Sequence, residues 1–511
     1  MEQQKQMTKP EDAIRPYAGP LENRNVAVLT SKLSSSADNI KILLERLGAH
    51  VSVIDLEESQ SSRDKKSELK YDSVVVDCSR VSKPLDKSKH VQTTFDCTMD
   101  ALFQSAKLAN QLTRNNGRIL WFGHDRTDSE IAPENYITRM HNAGIEGIMR
   151  SQAKEVGRKG ITVNMATLDH NNILEEDLKH VRHTSNTEGT LQLPTSCIGP
   201  LSFLVSSPSA YVTGQRIDMK RRPTTDPHKV VRVEDDTSMH TGKVLSNSQR
   251  AGTPPPLTGK VAIVTGAAQG IGYATSLDLA KHGVHVVAVD ILNNSEKLVQ
   301  LSTMTGGSHV VGDLRESSSR ENIVKFIHEN FSQFDLLVHC AGITRDRTIK
   351  NMKYDEFTDV INTNLESIKS LDSALLDTKE ESESLGASTL MRSNGRIVYM
   401  SSINGIAGAF GQSNYAYSKG ALIEYARLMG DKLLKQNEGC TANAIAPGYI
   451  LTDMTKDLPL LTKLFGELLT ALSQGGQPSD VASAITMLCL PSSGGINGQT
   501  IRVCGGHLQG K

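Results

Sequence analysis

Short apolar runs recur along the chain with helix-length segments between them. NVAVLT, HVSVID, SVVVD, GRILWF and ITVNM, beginning at Asn25, His50, Ser73, Gly117 and Ile161, form one series. KVAIVTG, HVVAVD, LLVHCAG, GRIVYM and TANAIAPG, beginning at Lys260, His285, Leu336, Gly395 and Thr441, form a second. Runs of about five residues that are apolar throughout belong to strands covered on both faces, and such strands alternating with helices build parallel sheets. The expected fold class is α/β, with two doubly wound parallel sheets in one chain.

Between the two series, residues 219–257 are rich in charge, Ser, Thr and Pro and lack an apolar period. They read as a linker joining a domain at 21–218 to a domain at 258–511. Pro254, Pro255 and Pro256 would stiffen its end into an extended spacer. A second polar stretch, near residues 377–394, reads as a solvated surface loop. The halves also repeat each other. Gly48 and Asp55 match Gly283 and Asp290 at a separation of 235 residues, and Asn135, Tyr136 and Asn164 match Asn414, Tyr415 and Asn443 at 279. GQRI from Gly214 likewise resembles GQTI from Gly498. Matches that share spacing as well as letters predict a duplicated domain, with insertions between the matched stretches.

Composition narrows the functional classes. The 511 residues are ample for more than one core, and 56 Lys plus Arg against 57 Asp plus Glu leave no global basic field for nucleic acid or an anionic membrane. Seven scattered cysteines, none in a C-x-x-C pair, predict reduced thiols and no zinc site. No run of about 18 apolar residues is present to span a bilayer, the N-terminal stretch is polar, and HLQGK at the end matches no retention or peroxisomal address. A cytoplasmic location is the default expectation.

The candidate chemistry lies in the second half. A strand runs into Gly266, Gln269, Gly270, Ile271 and Gly272 and then into a helix, so backbone amides and the helix dipole are placed to hold a diphosphate. Asp290 ends the next strand, where a carboxylate would accept hydrogen bonds from an adenosine ribose and repel a 2′-phosphate, favouring NAD(H) over NADP(H). Asn364, Ser402, Tyr415 and Lys419 supply what carbonyl reduction requires. Hydride delivered to a carbonyl carbon leaves charge on oxygen, which needs a proton donor and a hydrogen-bond donor. Tyr415 is the expected acid and Ser402 the oxyanion donor. Lys419, one helical turn from Tyr415, is expected to lower the phenol's pKa from its ordinary value of about 10, and Asn364 to anchor a water. Tyr417, two residues from Lys419, would point elsewhere on the helix.

TGAAQGIG, Asp313 in GDL, CAG at 340–342, Asn364, Ser402, YAYSK and APGYILT resemble the short-chain dehydrogenase/reductase signature set, in order, across essentially all of residues 258–511. The resemblance implies a Rossmann-like fold in which Asp313 and Leu314 contact the adenine and Ala341 and Gly342 line the cofactor. It also implies that Tyr415 and Lys419 contact the cofactor and that Gly448, Ile450 and Thr452 approach the nicotinamide. HCAG replaces the usual NNAG, leaving His339 and Cys340 without an assigned role. AGITRDRTIKNM, GQSNYAYSKGAL and the RVCGG tail are further similar to 3-oxoacyl-[acyl-carrier-protein] reductases, in particular the high-molecular-weight two-domain type. That likeness implies NADH, a 3-oxoacyl-CoA or carrier-protein thioester as substrate, and a homodimer or higher homo-oligomer. A dehydrogenase of a steroid, sugar or polyol, and an NAD(H)-sensing binding protein, are the rival readings.

The first half has lost these features. No glycine occurs between Leu21 and Leu47, Met140 stands where lysine is needed, and Gly123 or His124 stands where serine would be, although Tyr136 survives. Without glycine the backbone cannot approach a pyrophosphate closely. The first half is therefore expected to be a degenerate Rossmann-like or flavodoxin-like domain without a cofactor motif, serving packing, dimerisation or substrate capture.

Overall fold

The computed structural model describes residues 21, 23–30, 40–41, 44–45, 47–55, 70–78, 91–125, 133–169, 197–219, 255–377, 389–436, 439–452, 455, 464 and 466–507. The expected linker lies mostly outside the described residues, as does most of the polar stretch after Asp377.

Both series of apolar runs form parallel sheets. The first sheet contains β1 (Asn25–Thr30), β2 (His50–Asp55), β3 (Tyr71–Asp77), β4 (Thr113–Asp125), β5 (Thr162–Asp169) and β6 (Arg216–Met219), in the order β2-β1-β3-β4-β5-β6. The second contains β7 (Val261–Thr265), β8 (His285–Asp290), β9 (Ser308–Val311), β10 (Phe334–His339), β11 (Met391–Met400), β12 (Thr441–Pro447) and β13 (Thr500–Val503), in the order β13-β12-β11-β10-β7-β8-β9. Every residue of β7 and of β12 is buried, as a strand covered on both faces requires. Each fully buried Val, Ile or Leu contributes about 1.5–3 kcal/mol.

The two sheets differ by one strand. Residues 291–333, between β8 and β10, hold the helix Ser295–Thr305, β9 and the helix Ser317–Phe331. Only residues 56–70 separate β2 from β3, too few for the same strand and helices, so the first sheet opens with the flavodoxin-type order.

The duplication is repeated in the hydrogen bonds. Asp72 accepts from Asn25 N at 2.8 Å, as Asp335 accepts from Val261 N at 2.9 Å, and each carboxylate is paired with an arginine, Arg114 or Arg392. Asn116 and Asn394 both take a left-handed φ, and the arginine two residues on, Arg118 or Arg396, donates back to the two preceding carbonyls. Asn164 donates to Val212 O and accepts from Gln215 N, while Asn443 donates to Ile496 O and accepts from Gln499 N.

The halves pack together through corresponding surfaces. One hydrophobic cluster contains Leu204 and Tyr211 of the first half with Val481 and Leu488 of the second. Gln215 accepts from Arg502 Nε at 3.2 Å, and Gln499 accepts from Asp218 N at 3.1 Å. Because Gln215 corresponds to Gln499 and Asp218 to Arg502, each contact is the other's counterpart about a local two-fold axis.

Candidate active site

The winding of the second sheet reverses between β7 and β10, so their carboxyl ends open a crevice at the topological switch point. β7 ends in the glycine turn. Gly266 has φ 64°, and a Cβ there would lie 2.7 Å from Ala341 N; a Cβ on Gly272 would lie 2.1 Å from Gly266 O. Only glycine permits these approaches. Gly270 also has φ 58° and opens the helix Gly270–Lys281, whose N-terminus carries no side-chain cap. Uncapped first-turn amides beside a glycine backbone fit an anionic diphosphate.

Asp290 stands at the end of β8, beside this turn. Its Oδ2 accepts from Ala268 N at 3.0 Å, and Oδ1 accepts from Ile291 N and Asn294 Nδ2, both at 2.8 Å. The carboxylate is thus fixed in place, with Oδ2 accepting only one of these three bonds. Gln269 accepts from Lys297 Nζ at 2.9 Å. Asp313 is forked by Arg315, whose hydrogen bonds hold the carboxyl below its ordinary range, and Leu314 is buried beside it. Cys340 N and Ala341 N donate to Thr265, tying the end of β10 to β7.

The polar set is gathered from three places in the chain. Asn364 lies in a π-turn, Asn362–Glu366, and its side chain is fully engaged: Oδ1 accepts from Ile343 N at 2.8 Å, and Nδ2 donates to Ile343 O and Ser418 Oγ. Ser402 caps the short helix Ile403–Ala407 by accepting from Asn404 N at 3.1 Å. Tyr415 and Lys419 sit one turn apart on the helix Ser413–Gln436, with Lys419 Nζ 5.6 Å from the phenol ring centroid. Lys419 Nζ donates to Met400 O at 2.7 Å, and a Cβ on Gly342 would lie 3.3 Å from it.

Burial sets the electrostatics. It pushes the Tyr415 phenol up to about 12, opposed by its hydrogen bond with Ser402, and lowers the Lys419 ammonium to about 8. The lowering of the Tyr415 pKa expected from Lys419 is not seen here: desolvation outweighs the influence of an ammonium that is itself desolvated and directed at Met400 O. Cys340, beside Lys419, is pushed by burial up to about 12.

The loop after β12 completes the crevice. Gly448 N bonds to Val503 O, Ile450 is buried, and a Cβ on Gly270 would meet the Thr452 methyl at 3.8 Å. Tyr417 is 58% exposed and tilts against Phe357, pointing away from the set. In the first half, Ser31–Asn39 and the side chains of His124, Tyr136 and Met140 lie outside the described residues.

Sequence reasoning missed a buried network below the site. His339 Nε2 lies 2.9 Å from Asp372 Oδ1, Tyr399 OH donates to Asp372 Oδ2 at 2.7 Å, and the His339 and Tyr399 rings stack at 5.3 Å. HCAG in place of NNAG was the one available signal. Among the described residues there is no cluster suited to a metal ion and no helix long and apolar enough to cross a membrane.

Residues 24–220 and 266–507, parts of both halves, match a family model described as enoyl-(acyl carrier protein) reductase. A 3-oxoacyl-[acyl-carrier-protein] reductase of Vibrio cholerae is 34% identical over 250 residues, covering 49% of this chain and 98% of that protein. The 3-oxoacyl-[acyl-carrier-protein] reductase of Synechocystis sp. is 35% identical over 261 residues, with the same two shares. That of Escherichia coli is 32% identical over 250 residues, covering 48% of this chain and 97% of the relative.

Proposed function

Because the chain belongs to the short-chain dehydrogenase/reductase family, we propose that its second half reduces 3-oxoacyl thioesters, carried on coenzyme A or acyl-carrier protein, to 3-hydroxyacyl thioesters with NADH. The observation that carries this reading is the convergence of Ser402, Tyr415 and Lys419 beside the glycine turn at the switch point. The nicotinamide dinucleotide, when bound, supplies the hydride.

The chain's own residues do the rest. Gly266, Gly270 and Gly272, with the uncapped helix N-terminus, would hold the diphosphate, and Asp290 the adenosine ribose. Ala341, Gly342, Gly448, Ile450 and Thr452 enclose the space between. Ser402 donates a hydrogen bond to the substrate's 3-oxo oxygen as charge grows there, and Tyr415 transfers its phenolic proton to that oxygen, giving the hydroxyl. Lys419 favours the phenolate left behind, and the proton is restored from solvent. The Asn364 side chain holds Ile343 and Ser418 in place, leaving the π-turn backbone as the place for a water.

The preference for NADH rests on Asp290, whose fixed carboxylate would repel a 2′-phosphate. The first half is read as catalytically silent, and the exposed Tyr417 and Leu428 on the helix Ser413–Gln436 favour self-association of the chain. The test is oxidation of NADH and, separately, NADPH with acetoacetyl-CoA, beside crotonyl-CoA as an enoyl thioester. NADH-selective turnover of the 3-oxo substrate is expected. Turnover of crotonyl-CoA alone, or of neither, would overturn the reading.

A further inference from the structure

Tyr211 belongs to the first half, yet its side chain is built into the second. It is 1% exposed, and its hydroxyl lies 3.0 Å from Gln474 O and 3.3 Å from Tyr449 O, donating its single proton between the two carbonyls. Its own carbonyl accepts from Gly505 N at 3.0 Å. The ring fits between two glycines: a Cβ on Gly476 would lie 2.5 Å from it, and one on Gly505 2.6 Å. Burial keeps the phenol protonated well beyond the neutral range, so it remains a donor.

The two carbonyls belong to segments that pair with each other. Gly476 N donates to Tyr449 O at 2.9 Å, Leu451 N donates to Gly476 O at 2.8 Å, and Ile450 and Gly476 form an isolated parallel bridge. The Thr470–Gly476 segment is also held from behind. Ala471 N and Leu472 N bond to Gly506 O and Gly505 O, and a Cβ on Gly157 of the first half would lie 2.3 Å from Ala471 O. At the other end, Thr452 rests against Gly270 of the glycine turn. The position corresponding to Tyr211 in the second half is Gly495, so this contact runs one way across the local two-fold axis and does not follow from its symmetry.

We infer that Tyr211 is a positioning residue through which the silent first half sets the Gly448–Thr452 loop against the glycine turn of the catalytic half. This rests on the reductase reading of that site, but the geometry can be tested without it. A hydroxyl shared between two carbonyls of a paired segment favours the paired arrangement over any in which the loop has left Gly270. Its removal should raise the open fraction by about two- to tenfold, the range of one neutral hydrogen bond.

The test uses the full chain and Tyr211→Phe, which keeps the ring between Gly476 and Gly505 and removes only the hydroxyl. Hydrogen exchange without ligand is expected to quicken about fivefold at the Leu451 and Gly476 amides, with β1 and β5 unchanged. With acetoacetyl-CoA, KM is expected to rise at least threefold while kcat stays within twofold. Tyr211→Leu, which stays apolar, leaves part of the ring's space empty and reaches neither carbonyl, should quicken exchange at the same two amides at least as much. Unchanged exchange at both amides, or quickening shared equally by β1 and β5, would overturn the inference. A wild-type chain that turns over no 3-oxoacyl thioester would instead overturn the reductase reading, and the exchange comparison would still decide the role of Tyr211.

Discussion

Lys419 Nζ sits 5.6 Å from the centroid of the Tyr415 ring, and the same burial displaces their acidities in opposite directions, the phenol up to about 12 and the ammonium down to about 8. Both shifts favour the neutral form, because a charge deprived of water is costly unless a partner compensates it. The free enzyme therefore keeps its proton on Tyr415, while the titration of its lysine is brought down toward neutral pH.

Tyr415→Phe removes that proton and leaves the ring. Turnover of acetoacetyl-CoA is expected to fall by about 10²–10⁴, the usual worth of a general acid, while NADH binding, followed by nucleotide fluorescence, stays within a few-fold of wild type. Retained turnover would take Tyr415 out of the mechanism.

Lys419→Met should abolish turnover and yet stabilise the protein. The folded pKa of about 8 lies below the ordinary 10.5, so between these values the unfolded chain binds more protons and stability rises with pH. Below about pH 8 the folded state bears the full cost of the buried ammonium, of order 3 kcal/mol. The methionine avoids that cost but leaves Met400 O without its donor, for a net gain of about 1–2 kcal/mol at pH 7. Thermal unfolding from pH 6 to 10 checks this: the margin of the variant over wild type should shrink above pH 8.

Asp290→Asn should weaken the discrimination between nucleotides. The amide oxygen still accepts from Ala268 N or Ile291 N, but the charge facing a 2′-phosphate is gone. The ratio of kcat/KM for NADH over NADPH is expected to fall about tenfold or more, equivalent to about 1.4 kcal/mol. An unchanged ratio would mean that another group sets the preference.

Asp372→Ala would strand His339 and Tyr399 in the core. Two buried polar groups without a partner cost about 2–5 kcal/mol together, measurable as a lower urea midpoint. Asp372→Asn, which retains an acceptor, should cost less.

Much of the site was legible because its signals are local. Gly266, Gly270 and Gly272 lie on one turn, Tyr415 and Lys419 on one helical turn, and Asp290 at the end of one strand. The family resemblance linked these to Asn364 and Ser402, and the fold brings all of them to one crevice. The His339–Asp372–Tyr399 network was not legible, since its members come from three elements and no spacing relates them. The π-turn at Asn364 was equally hidden, as were the hydrogen bonds that occupy its side chain.

The two series of apolar strands, their repetition, the glycine turn and the helical spacing of acid and lysine follow from the order of residues alone, because periodicity and short-range spacing are properties of neighbouring residues. How the copies meet, the reach of Tyr211 across to Tyr449 and Gln474, and the direction in which the pKa of Tyr415 moves come from long-range packing. Desolvation and contacts between distant segments depend on what the rest of the chain packs around a group, and no local pattern carries that information.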